Sequence, residues 1–163
     1  MSNLLIRTIQ PGDNKTLATI IRDTLAEFKA NKPGTVYYDD RTDHLFEEFK
    51  VAASIYYVAE IDGEIIGGGG IYPTANLPDG TCELVKLYLS PAGRGKGIGR
   101  SLMEKCITAA KEMGYTKIYL ETMPELTIAI PMYERLGFTY LPAAQGSSGH
   151  TGCDVWMIKE LDD

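Results

Sequence analysis

The stretch Leu84-Val85-Lys86-Leu87-Tyr88-Leu89-Ser90-Pro91-Ala92-Gly93-Arg94-Gly95-Lys96-Gly97-Ile98-Gly99-Arg100 limits the choice of fold more than any other part of the chain. A hydrophobic strand runs into a basic, glycine-rich turn. The turn opens an amphipathic helix with Ile98, Leu102, Cys106, Ala109 and Met113 on one stripe, ended at Gly114. Glycines 93, 95, 97 and 99 alternate with Arg94, Lys96 and Ile98, so backbone N–H groups there can point inward with no Cβ in the way. The first turn of a helix also has unpaired N–H groups and the positive end of the dipole. A strand, a turn of N–H groups and flanking cations predict a phosphate or pyrophosphate site.

Two nucleotide motifs compete for this segment, and both fail on residues. The dinucleotide fingerprint G-x-G-x-x-G needs glycine at position 98 or 100, where Ile98 and Arg100 stand. The P-loop G-x-x-x-x-G-K-[ST] needs glycine at Ser90 and a hydroxyl residue at Gly97.

At 163 residues, one domain spanning 1–163 is expected, long enough to bury a proper core. A net charge of −6 argues against nucleic acid as the main partner and leans toward a cationic acceptor. Cys82, Cys106 and Cys153 are odd in number and widely spaced, which reads as reduced thiols with neither a disulfide frame nor a metal site. No run of residues suggests a signal peptide or a membrane span, so a cytoplasmic address is expected.

Leu4 to Ile9 reads as a strand. Pro11-Gly12-Asp13 reads as a turn whose aspartate caps a helix bearing Leu17, Ile20, Ile21, Leu25 and Phe28. Asn31 to Gly34 breaks that helix, and a short second helix carries Leu45, Phe46 and Phe49. Ile55–Ile61 and Glu64–Tyr72 form a hairpin around Asp62-Gly63. The four glycines 67–70 in the return strand predict a bulge or a close backbone approach. The strand Cys82–Leu89, the helix after the glycine turn and the strand Lys117–Glu121 follow. A short helix around Ile128 to Leu136 comes next, limited by Pro131 and ended by Gly137. Phe138–Leu141 and Asp154–Ile158 make a last strand pair around the Gly/Ser-rich loop 146–152.

Arg94-Gly95-Lys96-Gly97-Ile98-Gly99 reads R-x-x-G-x-G. It resembles the coenzyme A loop [Q/R]-x-x-G-x-[G/A] of the GNAT superfamily of N-acetyltransferases. Ala129-Ile130-Pro131-Met132-Tyr133-Glu134-Arg135-Leu136-Gly137-Phe138 is similar to that family's A-x-x-x-Y-E-x-x-G-F ending. The element order β-α-α-β-β-β-α-β-α-β-β matches the family from about Leu4 to Leu161. The resemblance implies an α/β (α+β) fold: a mixed, mostly antiparallel sheet with a central strand splay and helices on both faces.

It also implies acetyl-CoA as cosubstrate, no metal, and acetyl transfer to a small-molecule or peptide amine in a ternary complex. It admits a homodimer, and it implies neither a nucleic-acid nor a membrane partner. Leu87, Tyr88 and Leu89 would meet the pantetheine arm, with Leu87 and Leu89 pairing with it through their backbone. Arg94, Gly95, Lys96, Gly97, Ile98, Gly99, Arg100 and Ser101 would hold the pyrophosphate, and Thr122 would touch the pantetheine from across the splay. The family often has asparagine seven residues before the tyrosine. Leu126 stands there, so that contact is lost or is supplied by Thr127 or a nearby backbone group.

Acetyl transfer to an amine needs a base for the ammonium and an acid for the leaving thiolate. Glu83 is the candidate base. Strand alternation puts it on the face of Val85, Leu87 and Leu89, where burial raises its pKa. It also stands eleven residues before Arg94, the interval at which several family members carry a base. Tyr133 is the candidate acid, and Glu121 is the second candidate base. Tyr37, Tyr38, Glu121 and His150 are candidate acceptor contacts. Two rival readings remain at this point: a non-catalytic acyl-CoA-binding or sensing module, and a nucleotide-binding protein of another fold.

Overall fold

A computed structural model describes residues 3–161. Seven strands form one sheet: β1 (Leu4–Thr8), β2 (Ile55–Ile61), β3 (Glu64–Tyr72), β4 (Thr81–Leu89), β5 (Lys117–Thr122), β6 (Thr139–Leu141) and β7 (Val155–Glu160). Their spatial order is β1-β2-β3-β4-β5-β7-β6, and every neighbouring pair is antiparallel except β4 with β5. Four helices complete the fold: α1 (Asn14–Glu27), α2 (Leu45–Glu48), α3 (Ile98–Glu112) and α4 (Ala129–Arg135). The element order is the one read from the sequence. Among the described residues no helix is long and apolar enough to cross a membrane.

Helices cover both faces because each presents one apolar stripe. Leu17, Ile21 and Leu25 of α1 join Leu45 and Phe49 over Tyr56 and Val58 of β2. On the opposite face Met103, Cys106, Ala109 and Ala110 of α3 pack on Ile71, Cys82, Leu84, Ile118 and Leu120, together with Tyr133 of α4. Three local expectations change. Asp13 does not cap α1. Its carboxylate turns back to accept from the Gln10 backbone N–H at 2.7 Å and from Arg7 at 2.8 and 3.0 Å. The second helix is a single turn entered through 3-10 segments at Val36–Tyr38 and Asp40–His44. Met113 lies just past α3 and is 38% exposed, so the stripe ends at Ala109 and Ala110.

Strand β4 carries the deviation that matters for function. Its register with β3 shifts where Gly68 faces Tyr88 and Gly70 faces Val85, so β4 holds one extra residue. Lys86 sits there with φ +54°, and its carbonyl accepts the Tyr56 hydroxyl at 2.8 Å. The bulge breaks the alternation. Val85 and Tyr88 face the α1 layer, whereas Leu84, Leu87 and Leu89 face the α3 side. Glu83 therefore lies on the face opposite Leu87 and Leu89, which corrects the simple alternating reading.

β4 and β5 pair only from Thr81–Lys117 to Glu83–Tyr119. Beyond that the two strands part, and a cleft opens between Leu84–Leu89 and Leu120–Met123. Glycines 67–70 serve close packing. A Cβ on Gly68 would lie 2.5 Å from the Tyr57 carbonyl oxygen, and one on Gly70 would lie 2.4 Å from that of Ile55. Gly70→Ala is expected to destabilise the fold by at least about 2 kcal/mol, a fall in Tm of roughly 4–8 °C. Gly12→Ala, where a Cβ meets nothing within 4 Å, leaves Tm within about 2 °C. Thermal denaturation of the two variants checks both statements.

Candidate active site

Two cavities meet at the bulge of β4. The larger, about 380 Å³, is the cleft between the parted strands. Leu84, Leu87, Tyr88 and Leu89 form one wall, and Leu120 to Met123 with Leu126 form the other. Tyr133 and Met132 of α4 close one side, and the glycine turn from Gly93 to Arg100 closes one end, apart from Lys96. The smaller, about 290 Å³, lies on the α2 side and is lined by Glu48, Tyr72, Thr74, Glu83, Ser147 and His150 among others. Lys86 borders both.

The glycine turn is built as an anion cradle. Gly95 and Gly97 have φ of +72° and +75°, a conformation that glycine adopts without strain. Among the described residues no group accepts from the N–H of Gly95, Lys96 or Gly97, and Ile98 and Gly99 are the first two residues of α3. Arg94 lines the end of the cleft and is also engaged with its neighbours. It pairs with Glu27 of α1 at 2.6 Å, donates to the Leu89 carbonyl at 3.1 and 3.2 Å, and lies over the Phe28 ring at 5.1 Å. Arg94 thus ties the turn to α1, and the Leu89 carbonyl is already engaged. Lys96 is exposed and stays out of the cleft. Ser101 donates back to the Gly97 carbonyl at 3.1 Å, which braces the start of α3. Arg100 lines the cleft mouth and lies 3.9 Å from Glu104.

Glu83 is 3% exposed and opens on the smaller cavity. Burial pushes its pKa up to about 7, against a 2.6 Å hydrogen bond from Thr74 and with help from the Glu121 charge. Tyr133 is 6% exposed, packs on Phe138 with ring centroids 5.8 Å apart, and lines the cleft. Burial holds its hydroxyl above the ordinary range, so it keeps its proton at neutral pH. Glu121 and Thr122 line the cleft from β5. Glu121 is already an acceptor for two hydroxyls, Tyr119 at 2.7 Å and Ser148. Leu126 gives the cleft an apolar wall where asparagine was the family's pattern, and Thr127 does not reach it.

The acceptor-side residues are partly redistributed. Tyr38 is 61% exposed, and Tyr37 packs edge-on against it and onto the α1 core. Neither lines the smaller cavity. Their neighbour Asp39 matters instead. It grips Arg41 at 2.7 Å and His150 at 2.8 Å. Burial raises the Asp39 pKa, but the hydrogen bonds from Arg41 and His150 prevail and hold it well below the usual carboxylate range.

The Gly/Ser loop then folds over the cavity. The Ser147 N–H donates to the Ala75 carbonyl, Asn76 donates to the Ser147 hydroxyl, and the Gly152 N–H donates to the Gly34 carbonyl. Sequence reasoning missed Arg41, Thr74, Ser147, Ser148 and Lys86. Only Lys86 carried a local signal, as the one charge within Leu84–Leu89. Burial lowers the His150 pKa below its ordinary value, and Asp39 opposes that shift. Asp39→Asn is therefore expected to move the His150 titration to still lower pH, read from imidazole resonances by NMR; an upward movement contradicts the pairing.

Comparison with known proteins agrees with this architecture. The profile of the acetyltransferase (GNAT) family matches residues 18–138. The uncharacterized N-acetyltransferase YjgM of Escherichia coli K12 is 40% identical over 159 residues, covering 96% of this chain and 95% of YjgM. A GNAT-family acetyltransferase of Staphylococcus aureus Mu50 superposes with a TM-score of 0.86 at 18% identity, covering 98% of this chain and all of that one. The PaiA N-acetyltransferase of Thermoplasma acidophilum, solved in complex with coenzyme A, superposes with a TM-score of 0.75 at 20% identity, covering 97% and 99%. With three quarters of its length matched by the family profile and a near full-length relative at 40% identity, the chain belongs to the GNAT family of acetyltransferases.

Proposed function

We propose that the protein is an acetyl-CoA-dependent N-acetyltransferase that moves an acetyl group to a primary amine by direct attack in a ternary complex. The observation that carries this reading is the junction of the two cavities at Lys86. A narrow cleft ends in a cradle of free N–H groups, and a second cavity holding a raised-pKa carboxylate opens beside it. That the Thermoplasma protein of the same fold was solved with coenzyme A supports acetyl-CoA as the cosubstrate.

Acetyl-CoA supplies the activated acyl group as a thioester. The N–H groups of the 95–99 turn would hold its pyrophosphate, helped by the dipole of α3. The walls Leu87–Leu89 and Leu120–Leu126 would sheath the pantetheine arm and exclude water from it. Arg94 keeps the turn seated against α1. Glu83, half ionised near pH 7, takes the ammonium proton directly or through water and leaves a neutral amine. Tyr133, protonated throughout this range, donates to the departing sulfur. Glu121, whose carboxylate already accepts two hydroxyl bonds, is the weaker candidate base. A cytoplasmic location belongs to the same proposal and rests on the free thiols of Cys82, Cys106 and Cys153.

Free-thiol release from acetyl-CoA across a panel of amines tests the activity. Amine-dependent release supports it, and coenzyme binding with no release for any acceptor points to the sensing module. Tyr133→Phe is expected to lower kcat by roughly 10²-fold or more with a much smaller effect on acetyl-CoA affinity; an unchanged kcat removes Tyr133 from the reaction. For Glu83 the base form is the active one. The rate is therefore expected to fall about tenfold per pH unit below 7 and to level off above it. Glu83→Gln removes that limb, and a profile identical to wild type assigns the proton to another group.

A further inference from the structure

Lys86 is buried, with 8% exposure, and it holds a left-handed backbone conformation at φ +54°. Both features are costly for a lysine. A lysine with this little exposure has its ammonium mostly withdrawn from bulk water and bordering the two cavities, and a residue with a Cβ is strained at this φ. Yet among the described residues no carboxylate lies within 4 Å of Lys86, and its amine donates no hydrogen bond.

The other basic groups around the cavity are engaged. Arg41 is held by Asp39 at 2.7 Å, lies 3.7 Å from Glu48 and donates to the Ser148 carbonyl at 3.1 Å. His150 is bonded to Asp39 at 2.8 Å. The acidic groups that face Lys86 from neighbouring elements are Asp39, Glu48 and Glu83, and Arg41 opposes them.

We propose that the acceptor is a free amino acid, and that Lys86 is the counter-ion of its carboxylate. This deepens the acetyltransferase reading and rests on it. A cavity of about 290 Å³ suits a small molecule, and it holds Glu83 and Lys86 together. An amino acid presents groups of both signs a few atoms apart. Its ammonium meets the carboxylate of Glu83, and its carboxylate meets the unpartnered ammonium of Lys86. Lys86 also borders the cleft, so an acceptor anchored on it is held beside the cleft from which the acyl group arrives. Arg41 lines the same cavity but is held by Asp39 and lies near Glu48, which leaves Lys86, among the described residues, as the cation without a carboxylate partner. The strained bulge is what turns this lysine inward. On this assignment the acidic net charge of the chain does not describe its acceptor, because selection happens at a single buried cation.

The test compares kcat/KM for the twenty protein α-amino acids with that for their α-amides, using the full chain. Wild type is expected to favour the best amino acid over its amide by on the order of tenfold or more, the scale of a charge-assisted hydrogen bond. Lys86→Met should cut that preference by on the order of tenfold, and Lys86→Arg should keep most of it. Wild type that acetylates amides as well as acids overturns the assignment, as does Lys86→Met that keeps the preference, or loss of preference in both variants alike. Binding of the same twenty amino acids to the coenzyme A-saturated protein, by saturation-transfer NMR, is read separately from turnover. Binding that disappears in Lys86→Met upholds the counter-ion even if no acetyl transfer is seen, and no binding to wild type overturns it.

Discussion

The extra residue in β4 is the constraint on which the rest of the site depends. A regular strand would carry Glu83, Val85, Leu87 and Leu89 on one face. With the bulge held by the Tyr56 hydroxyl on the Lys86 carbonyl, the strand reverses its faces midway. Glu83 and Lys86 then look into the α2-side cavity, while Leu84, Leu87 and Leu89 pack toward α3. The end of pairing with β5 lies in the same stretch, so a single irregularity separates the α2-side cavity from the cleft between β4 and β5 and joins them at one residue.

The glycine run in β3 is the counterpart of that bulge. With no side chains at 67–70, the backbones of β2 and β4 and the Tyr56 ring can approach β3 closely. A Cβ at 68 would meet the Tyr56 ring at 2.6 Å and so displace the group that holds the bulge. None of the four glycines lines either cavity. Their effect on the chemistry is indirect and passes through packing, in the way that close-packed interiors transmit small displacements.

The charges divide into two kinds. Arg94 with Glu27, and Asp39 with Arg41 and His150, are neutralised locally and position backbone: the first seats the glycine turn on α1, and the second holds the Gly/Ser loop over the α2-side cavity. Glu83 and Lys86 are buried with little compensation, and their protonation equilibria move accordingly, one up and the other down. Perturbed groups facing a cavity are where binding and proton transfer are to be sought. Arg94, the most conspicuous cation of the glycine turn, lines the cleft while already paired with Glu27.

The order of elements, the glycine turn with its helix, and the tyrosine on α4 were legible in the sequence. They are encoded locally, in the alternation of strands, the period of helices and the glycines that permit positive φ. Glu83 and Tyr133 were named as candidates because each stands at a fixed interval within a motif that resembles the family's. The bulge was not, because a register shift is settled by the partner strand and by Tyr56, thirty residues away in the chain. The cavity set of Arg41, Thr74, Ser147 and Lys86, and the anchoring of His150 by Asp39, depended on how a 3-10 segment, a strand and a loop distant in sequence meet in space. Local propensities specify each element alone. The side on which a buried charge emerges is decided only when the strands pair, since one extra residue turns every later side chain to the other face.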